Sequence, residues 1–333
     1  MPPRRMSQKG TVPRFAPSSW RKAGKQQTPK RAPSSTLRIL NTRMFRILAT
    51  IFAGLLGLAF GSFLNVCLSR WPQGESIVHP RSHCRNCDHQ LSWWENIPLI
   101  SWLALRGRCR NCHTKISWRY PLVELAIAVL WAATFWRSLT ATDPFEPADW
   151  LWLVLVQIIA AMAMSWILVA LAILDAENLW LPNFLTIPGI VLGLVVCVLN
   201  EIFGFHFDTA IRPFHALAAR ALSAIAAALL ILLIRWLYKL FRHREGIGLG
   251  DAKLMALLAA WLGLPGALLA FFLGIVLGAL VGVFLLLTPS TKTNSTEWSL
   301  KKLPLGTFIC IGGIVSALWG QPLIAAYLHW AGF

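Results

Sequence analysis

Apolar runs of roughly 18–25 residues, with few charges inside them, recur from residue 45 onward and are separated by short polar segments. A run of that length is what an α-helix needs to cross a bilayer, where lipid cannot hydrogen-bond a free backbone group. Each run must therefore satisfy its own backbone as a helix. With 56% hydrophobic residues and a mean hydropathy of +0.58, the chain is expected to be an all-α polytopic membrane protein. The runs fall at 45–68, 121–136, 150–174, 183–199, 215–234, 254–264, 265–287 and 305–329, which makes about eight transmembrane helices. The first carries Gly54, Gly57 and Gly61, small residues that allow close helix packing. The short sixth run ends at the Leu264-Pro265 boundary.

A net charge of +17 invites a nucleic-acid reading, but twelve of the 31 Lys and Arg precede residue 47. Most others lie between apolar runs, where positive charge reports topology; no nucleic acid is expected as a partner. The segments after the first, third, fifth and seventh runs carry sixteen Lys and Arg: eight in 70–119, five in 235–253 and three near 292–302. The other side carries Arg137 and Arg212, with Arg220 just inside the fifth run. Positive charge marks the cytoplasmic side, so the polar segment 70–119 and the stretch from Gly246 to Lys253 are expected to share that face. The basic tail before residue 47 has no acidic residue and no capacity to form a core, so it reads as disordered. It falls on the wrong side by charge, and a translation start at Met44 would remove that conflict. The expected organisation is a tail over 1–44, a first transmembrane helix over 45–69, a cytoplasmic four-cysteine segment over 70–120 and a membrane-embedded domain over 121–333.

The polar segment holds Cys84-Arg-Asn-Cys87 and, 21 residues on, Cys109-Arg-Asn-Cys112. Two CxxC knuckles can bring four thiolates into the tetrahedron that structural zinc requires. Disulfides are the alternative, disfavoured in a reducing cytoplasm. Arg85, Arg108 and Arg110 would offset the anionic centre, and four filled positions leave no open site on the metal. His83, His89 and His113 then read as surface residues. Trp93, Trp94, Trp102 and Trp118 fit an amphipathic segment near the interface. Cys67, Cys197 and Cys310 lie in apolar runs and read as packing residues.

Asp175 closes the third run and Asp251 opens the sixth, 76 residues apart yet on one membrane face. Two carboxylates sharing a site cannot easily both ionise, and one ionised beside one protonated is the division of an aspartic protease. Either could instead simply cap a helix, and Glu177 competes with Asp175 for the role. Glycines 246, 248 and 250 precede Asp251 and would let the backbone bend there. Lys253 either pairs with a carboxylate or anchors the helix. Glu124 needs a polar partner that the sequence does not identify.

Taken in order, several stretches resemble the prepilin peptidases, or type IV leader peptidases, over nearly the whole chain after Met44. They are Gly61-Ser-Phe-Leu-Asn-Val66 with Arg70-Trp-Pro72, Pro80-Arg-Ser-His-Cys84, and the two knuckles around Trp94-Glu-Asn-Ile-Pro98. Then come Arg119-Tyr-Pro-Leu-Val-Glu124, Asp175 through Leu181-Pro182, Gly246 through Asp251-Ala-Lys253, and Leu303-Pro-Leu-Gly306. The resemblance implies a multi-pass aspartic protease of the bacterial inner membrane. Its substrates would be type IV prepilins and type II secretion pseudopilins, with membrane lipid as surroundings. It assigns Asp175 and Asp251 as the catalytic pair and demotes Glu177. It further implies N-methylation of the new amino terminus with S-adenosylmethionine, in a region that includes Gly107. No nucleotide-binding fingerprint in the polar segment derives that second activity.

Two positions depart from the family pattern. Asn183 follows Pro182 where Asp is frequent, and Thr307 follows Gly306 where Pro is frequent. Neither is expected to touch the catalytic positions. A proton-coupled transporter would need acids in the middle of the runs, which have none. Two rival readings stay open: a peptidase that does not methylate, and a non-enzymatic zinc-bearing scaffold of a secretion system.

Overall fold

The apolar runs form helices throughout. In a computed structural model the described residues are 35–141, 148–204, 212–243, 248–287 and 303–332. The chain divides into two units, Met1–Asn41 and Thr42–Phe333; residues 1–34 of the basic tail, with Gly246, Ile247 and the charges near 292–302, lie outside the described residues. The helices are α1 (Ser35–Arg70), α2 (Ile100–Ala104), α3 (Arg119–Ala141), α4 (Ala148–Asn178), α5 (Asn183–Gly204), α6 (Arg212–Arg242), α7 (Leu249–Leu287) and α8 (Leu305–Trp330). Among the described residues there is no strand, only two isolated bridges in the polar segment.

Helix α4 is central, packing on α3, α5 and α8. One buried cluster joins α1, α3 and α4 through Leu64, Ile127, Trp131 and Leu174. A second joins α4, α6, α7 and α8 through Leu168, Ile231, Leu257 and Ile309. Outward-facing Phe52, Leu229 and Phe272 stay exposed, as lipid-facing side chains do. Where α1 crosses α3 the backbones nearly touch: a Cβ on Gly57 would stand 2.7 Å from Ala128 Cα, and one on Gly61 would stand 2.6 Å from Glu124 Cα.

Among the described residues seven continuous helices are long and apolar enough to cross a membrane, where about eight runs were expected. The difference lies in α7, which unites the expected sixth and seventh runs. Its backbone leaves the helical region at Gly263, with φ 74° and ψ 173°. Contacts with α8 show that the direction reverses there. Leu181 packs against both Gly250 and Gly306, and Leu258 meets Gly313, so before the break both helices advance together. After it, Ser316 Oγ donates to Gly266 O at 2.8 Å. Ala270 then meets Gly312, Gly274 meets Ile309 and Gly278 meets Phe308, in opposite order. The first limb, 249–262, is roughly 20 Å long at 1.5 Å per residue, which is why its run looked too short. Arg220 Nη1 donates to Trp261 O at 3.2 Å, covering a carbonyl that the break leaves without a helical partner.

Only glycine adopts such a backbone without strain, and a Cβ at Gly263 would also stand 2.9 Å from Arg220 Nη1. Gly263→Ala is expected to cost about 1–3 kcal/mol, read as a lowered midpoint of thermal unfolding in detergent. An unchanged midpoint would contradict the reversal.

Candidate active site

The end of α4 and the starts of α7 and α8 converge on two buried acids. Asp175 is in the last turn of α4, and its carboxylate meets the first turn of α8. Thr307 N donates to Asp175 Oδ2 at 2.7 Å. The Thr307 hydroxyl lies 3.2 Å from the same oxygen and 2.9 Å from Ala172 O. Backbone N–H groups of a helix's first turn have no partner within the helix, so they suit an anionic oxygen. Asp251, three residues after Gly248 in the first turn of α7, accepts the Gly248 N–H on Oδ2 at 3.1 Å, one half of a capping box. Leu181 packs on both Gly306, which abuts Asp175 Oδ2, and Gly250, the residue before Asp251, so the two acids flank one side chain. The pair forecast from one membrane face is thus brought together.

The other acids and the glycines behave differently. Glu177 turns away: its Oε2 accepts from Arg119 Nη1 at 2.6 Å, while Arg119 Nη2 donates to Ser69 Oγ at 2.9 Å. Gly248 supplies an N–H rather than a left-handed bend, and Gly250 supplies close approach, since a Cβ there would stand 3.0 Å from Leu181 Cδ1. Lys253 pairs with neither aspartate; its Nζ donates to Asn183 Oδ1 at 2.5 Å.

In the polar segment the two knuckles repeat one hairpin. Cys84 N donates to His89 O, and Cys109 N to Thr114 O, both at 2.9 Å. The residue after each knuckle, Asp88 or His113, takes a left-handed φ of 53° or 55°. The four sulfurs all lie within 4.8 Å of one another, with Cys84–Cys112 at 3.7 Å and Cys87–Cys109 at 3.9 Å. A tetrahedron with 2.3 Å metal–sulfur bonds sets its sulfurs roughly 3.8 Å apart, so this donor set fits a metal ion. The groups at the sulfurs are not arginines: the Thr114 hydroxyl lies 3.3 Å from Cys112 Sγ, and two side-chain amides come next. Asn86 Nδ2 donates to Cys112 Sγ at 3.6 Å, and Asn111 Nδ2 to Cys87 Sγ at 3.7 Å, each reaching across to the other knuckle. Hydrogen bonds from Thr114, side chain and backbone, then from Asn86, draw the Cys112 thiol down to about 5. Arg85 instead donates to Ser69 O at 2.7 Å, and Arg110 stacks 4.9 Å from the Trp94 ring.

His89 is not merely a surface residue: its Nε2 lies 3.5 Å from Oε2 of buried Glu95. That carboxylate accepts the Ser92 N–H at 2.7 Å, a bond that holds it below its usual range. The tryptophans do not form one amphipathic helix, since α2 has five residues. Trp93 and Trp118 are exposed, whereas Trp102 is half-buried with its ring centroid 4.2 Å from that of Trp118.

Two family models match the chain. The Bacterial Peptidase A24 N-terminal domain covers residues 55–138, and the Type IV leader peptidase family covers residues 162–283. A Prepilin leader peptidase/N-methyltransferase of Pseudomonas putida is 33% identical over 320 residues, covering 90% of this chain and 99% of the relative. The chain belongs to the type IV leader peptidase family. A protein of the same name from Pseudomonas aeruginosa is 33% identical over 86% of this chain and 95% of its own. Another, from Burkholderia pseudomallei strain 1026b, is 36% identical over 81% and 85%. No solved structure matches the chain.

One of the two departures from the family pattern, Thr307, touches a catalytic position, contrary to expectation, whereas Asn183 does not. Thr307 hydrogen-bonds Asp175, and Asn183 holds Lys253. Gly306 completes the contact, because a Cβ there would stand 2.8 Å from Asp175 Oδ2. Gly107, the residue that the resemblance associates with methyl transfer, has φ +64° and lies against Trp102, where a Cβ would meet Cζ2 at 2.7 Å. The partner that Glu124 needed is the Leu99 N–H, which donates to its Oε2 at 2.8 Å.

Proposed function

We propose that the chain is an aspartic endopeptidase of the bacterial inner membrane. It removes the leader of type IV prepilins and type II secretion pseudopilins at the cytoplasmic face, and then N-methylates the new terminus. The observation that supports the peptidase reading is the convergence of the Asp175 and Asp251 ends on Leu181, each acid bonded by a backbone N–H at a helix N-terminus, in a chain of this family. The two share one proton. The ionised member takes a proton from water, whose oxygen attacks the scissile carbonyl carbon, while the protonated member hydrogen-bonds the carbonyl oxygen. Collapse of the tetrahedral intermediate breaks the C–N bond, and the departing amine receives the transferred proton.

Cys84, Cys87, Cys109 and Cys112 would hold zinc, which would tie the two knuckles together in a structural role, because four thiolates leave no position for substrate. S-adenosylmethionine, when bound, supplies an electrophilic methyl group. Incubating purified protein with a prepilin, with and without this donor, tests both activities by mass spectrometry of the products. Uncut prepilin refutes the first, and a product that is cut but never methylated refutes the second.

Thr307 positions Asp175. Removing a hydroxyl bond to a carboxylate costs about 1 kcal/mol net, so Thr307→Val is expected to lower kcat roughly fivefold with KM unchanged. Thr307→Ser should restore it. Loss of activity in Thr307→Ser with Thr307→Val unimpaired would show that the methyl group, and not the hydroxyl, matters.

A further inference from the structure

A cavity of about 410 Å³ opens between α1, the start of α3 and the knuckle segment, away from the two aspartates. Its wall contains polar groups that are themselves buried: Asn65 at 2% exposure, Glu95 at 6% and Glu124 at 7%. Asn65 Nδ2 donates to Tyr120 O at 2.9 Å, but Asn65 Oδ1 and Glu95 Oε1 have no hydrogen-bond partner. Both oxygens are covered by the wall side chains, and a ligand that brings N–H or O–H groups would satisfy them once those side chains rotate toward it. The same wall holds the Trp102 indole and the Tyr120 ring, and Arg110 and Lys115 stand exposed at its edge.

We infer that this cavity holds the adenosyl sulfonium methyl donor, an inference that rests on the N-methyltransferase part of the function proposed above. The volume lies in the range of small-molecule sites. Carboxylates Glu95 and Glu124 suit a sulfonium cation, aromatic rings suit a flat base, and the unpaired acceptors suit amino hydrogens. Arg110 and Lys115 complement the carboxylate of the donor's amino-acid tail. Gly107 does not line the cavity, but any side chain there would displace the Trp102 indole that does. This connects the glycine to methyl transfer through a wall rather than through contact. The cavity is also joined to the peptidase site. Arg119 bonds both Ser69 on the cavity wall and Glu177, two residues beyond Asp175.

The test is calorimetric binding of S-adenosylhomocysteine to the purified full-length protein. Asn65→Leu removes the unpaired acceptor, and Asn96→Trp, at an exposed lining position, fills the space without touching the core. Each is expected to weaken binding at least tenfold, with zinc content and thermal midpoint unchanged in Asn96→Trp. Undiminished binding in Asn96→Trp overturns the assignment of the cavity and leaves the methyltransferase reading standing. Absence of binding by the wild-type chain, together with unmethylated product, overturns both. If Asn96→Trp abolishes binding of a synthetic basic leader peptide while S-adenosylhomocysteine still binds, the cavity belongs to the substrate leader and the inference fails.

Discussion

Replacing Asp251 with Asn is expected to lower prepilin cleavage by at least about a thousandfold, as loss of a principal catalytic group does, while the protein remains folded. The amide has the shape of the carboxylate and keeps an oxygen for the Gly248 N–H that Asp251 accepts at 3.1 Å. What it loses is the ability to exchange a proton, which both roles in the dyad require. Asp175→Asn should fail equally for the same reason and stay folded, because its Oδ1 can still accept the Thr307 N–H that now reaches Asp175 Oδ2 at 2.7 Å. Neither change should lower stability much, since each removes a buried charge instead of stranding one. The measurements are a leader-cleavage assay by gel shift and the thermal midpoint of the same preparations. Normal processing by either variant with an unchanged midpoint would remove the dyad from the mechanism. Glu177→Gln is the contrasting case. That carboxylate is tied to Arg119 at 2.6 Å and faces away from the pair, so its loss should leave the chemistry of cleavage intact.

The two aspartates were legible because their signal is a matter of placement. An acid at the end of an apolar run is costly without a partner, and the charge of the intervening loops puts both ends on one face. The four cysteines were legible because CxxC spacing follows directly from metal geometry. Thr307 was not, for a threonine in the first turn of a helix looks like an ordinary capping residue. Its bond to Asp175 spans 132 positions of sequence. The reversal inside α7 was half visible. Leu264-Pro265 marked a boundary, but only packing against α8 shows that the chain turns back on itself after 249–262. Arginines near the knuckles looked like counter-ions by proximity in sequence. In the fold they reach Ser69 and Trp94, and the asparagine of each knuckle takes their place at the sulfurs of the other. Glu124 stayed unassigned because its partner, the backbone of Leu99, is donated by a loop with no pattern of its own.

Replacing Cys84 and Cys109 together with Ser removes one thiolate from each knuckle, and zinc is expected to fall from about one ion per chain to near zero. The knuckle segment has little else to hold it. Its helix α2 has five residues, its pairing is two isolated bridges, and Cys109 is its main buried apolar contact. Structural zinc contributes about 10–16 kcal/mol of binding free energy in small domains, far more than two bridges supply. Limited proteolysis should therefore cut within 70–119 in the double variant and spare it in the wild type. The membrane helices should keep their midpoint, because α4, α6, α7 and α8 enclose a core that contains none of these cysteines. Acidification should mimic the substitution, since protons compete with the metal for thiolates and zinc is released as pH falls. S-adenosylhomocysteine binding should be lost with the zinc, because Cys84 and Cys109 also line the cavity assigned to the donor. Undiminished zinc in the double variant would refute the four-thiolate centre. Lost zinc with proteolysis unchanged would show that the segment is ordered by its contacts with α1 and α3, through Arg70 on Ser76 O and Pro80 O and Glu124 on Leu99, rather than by metal.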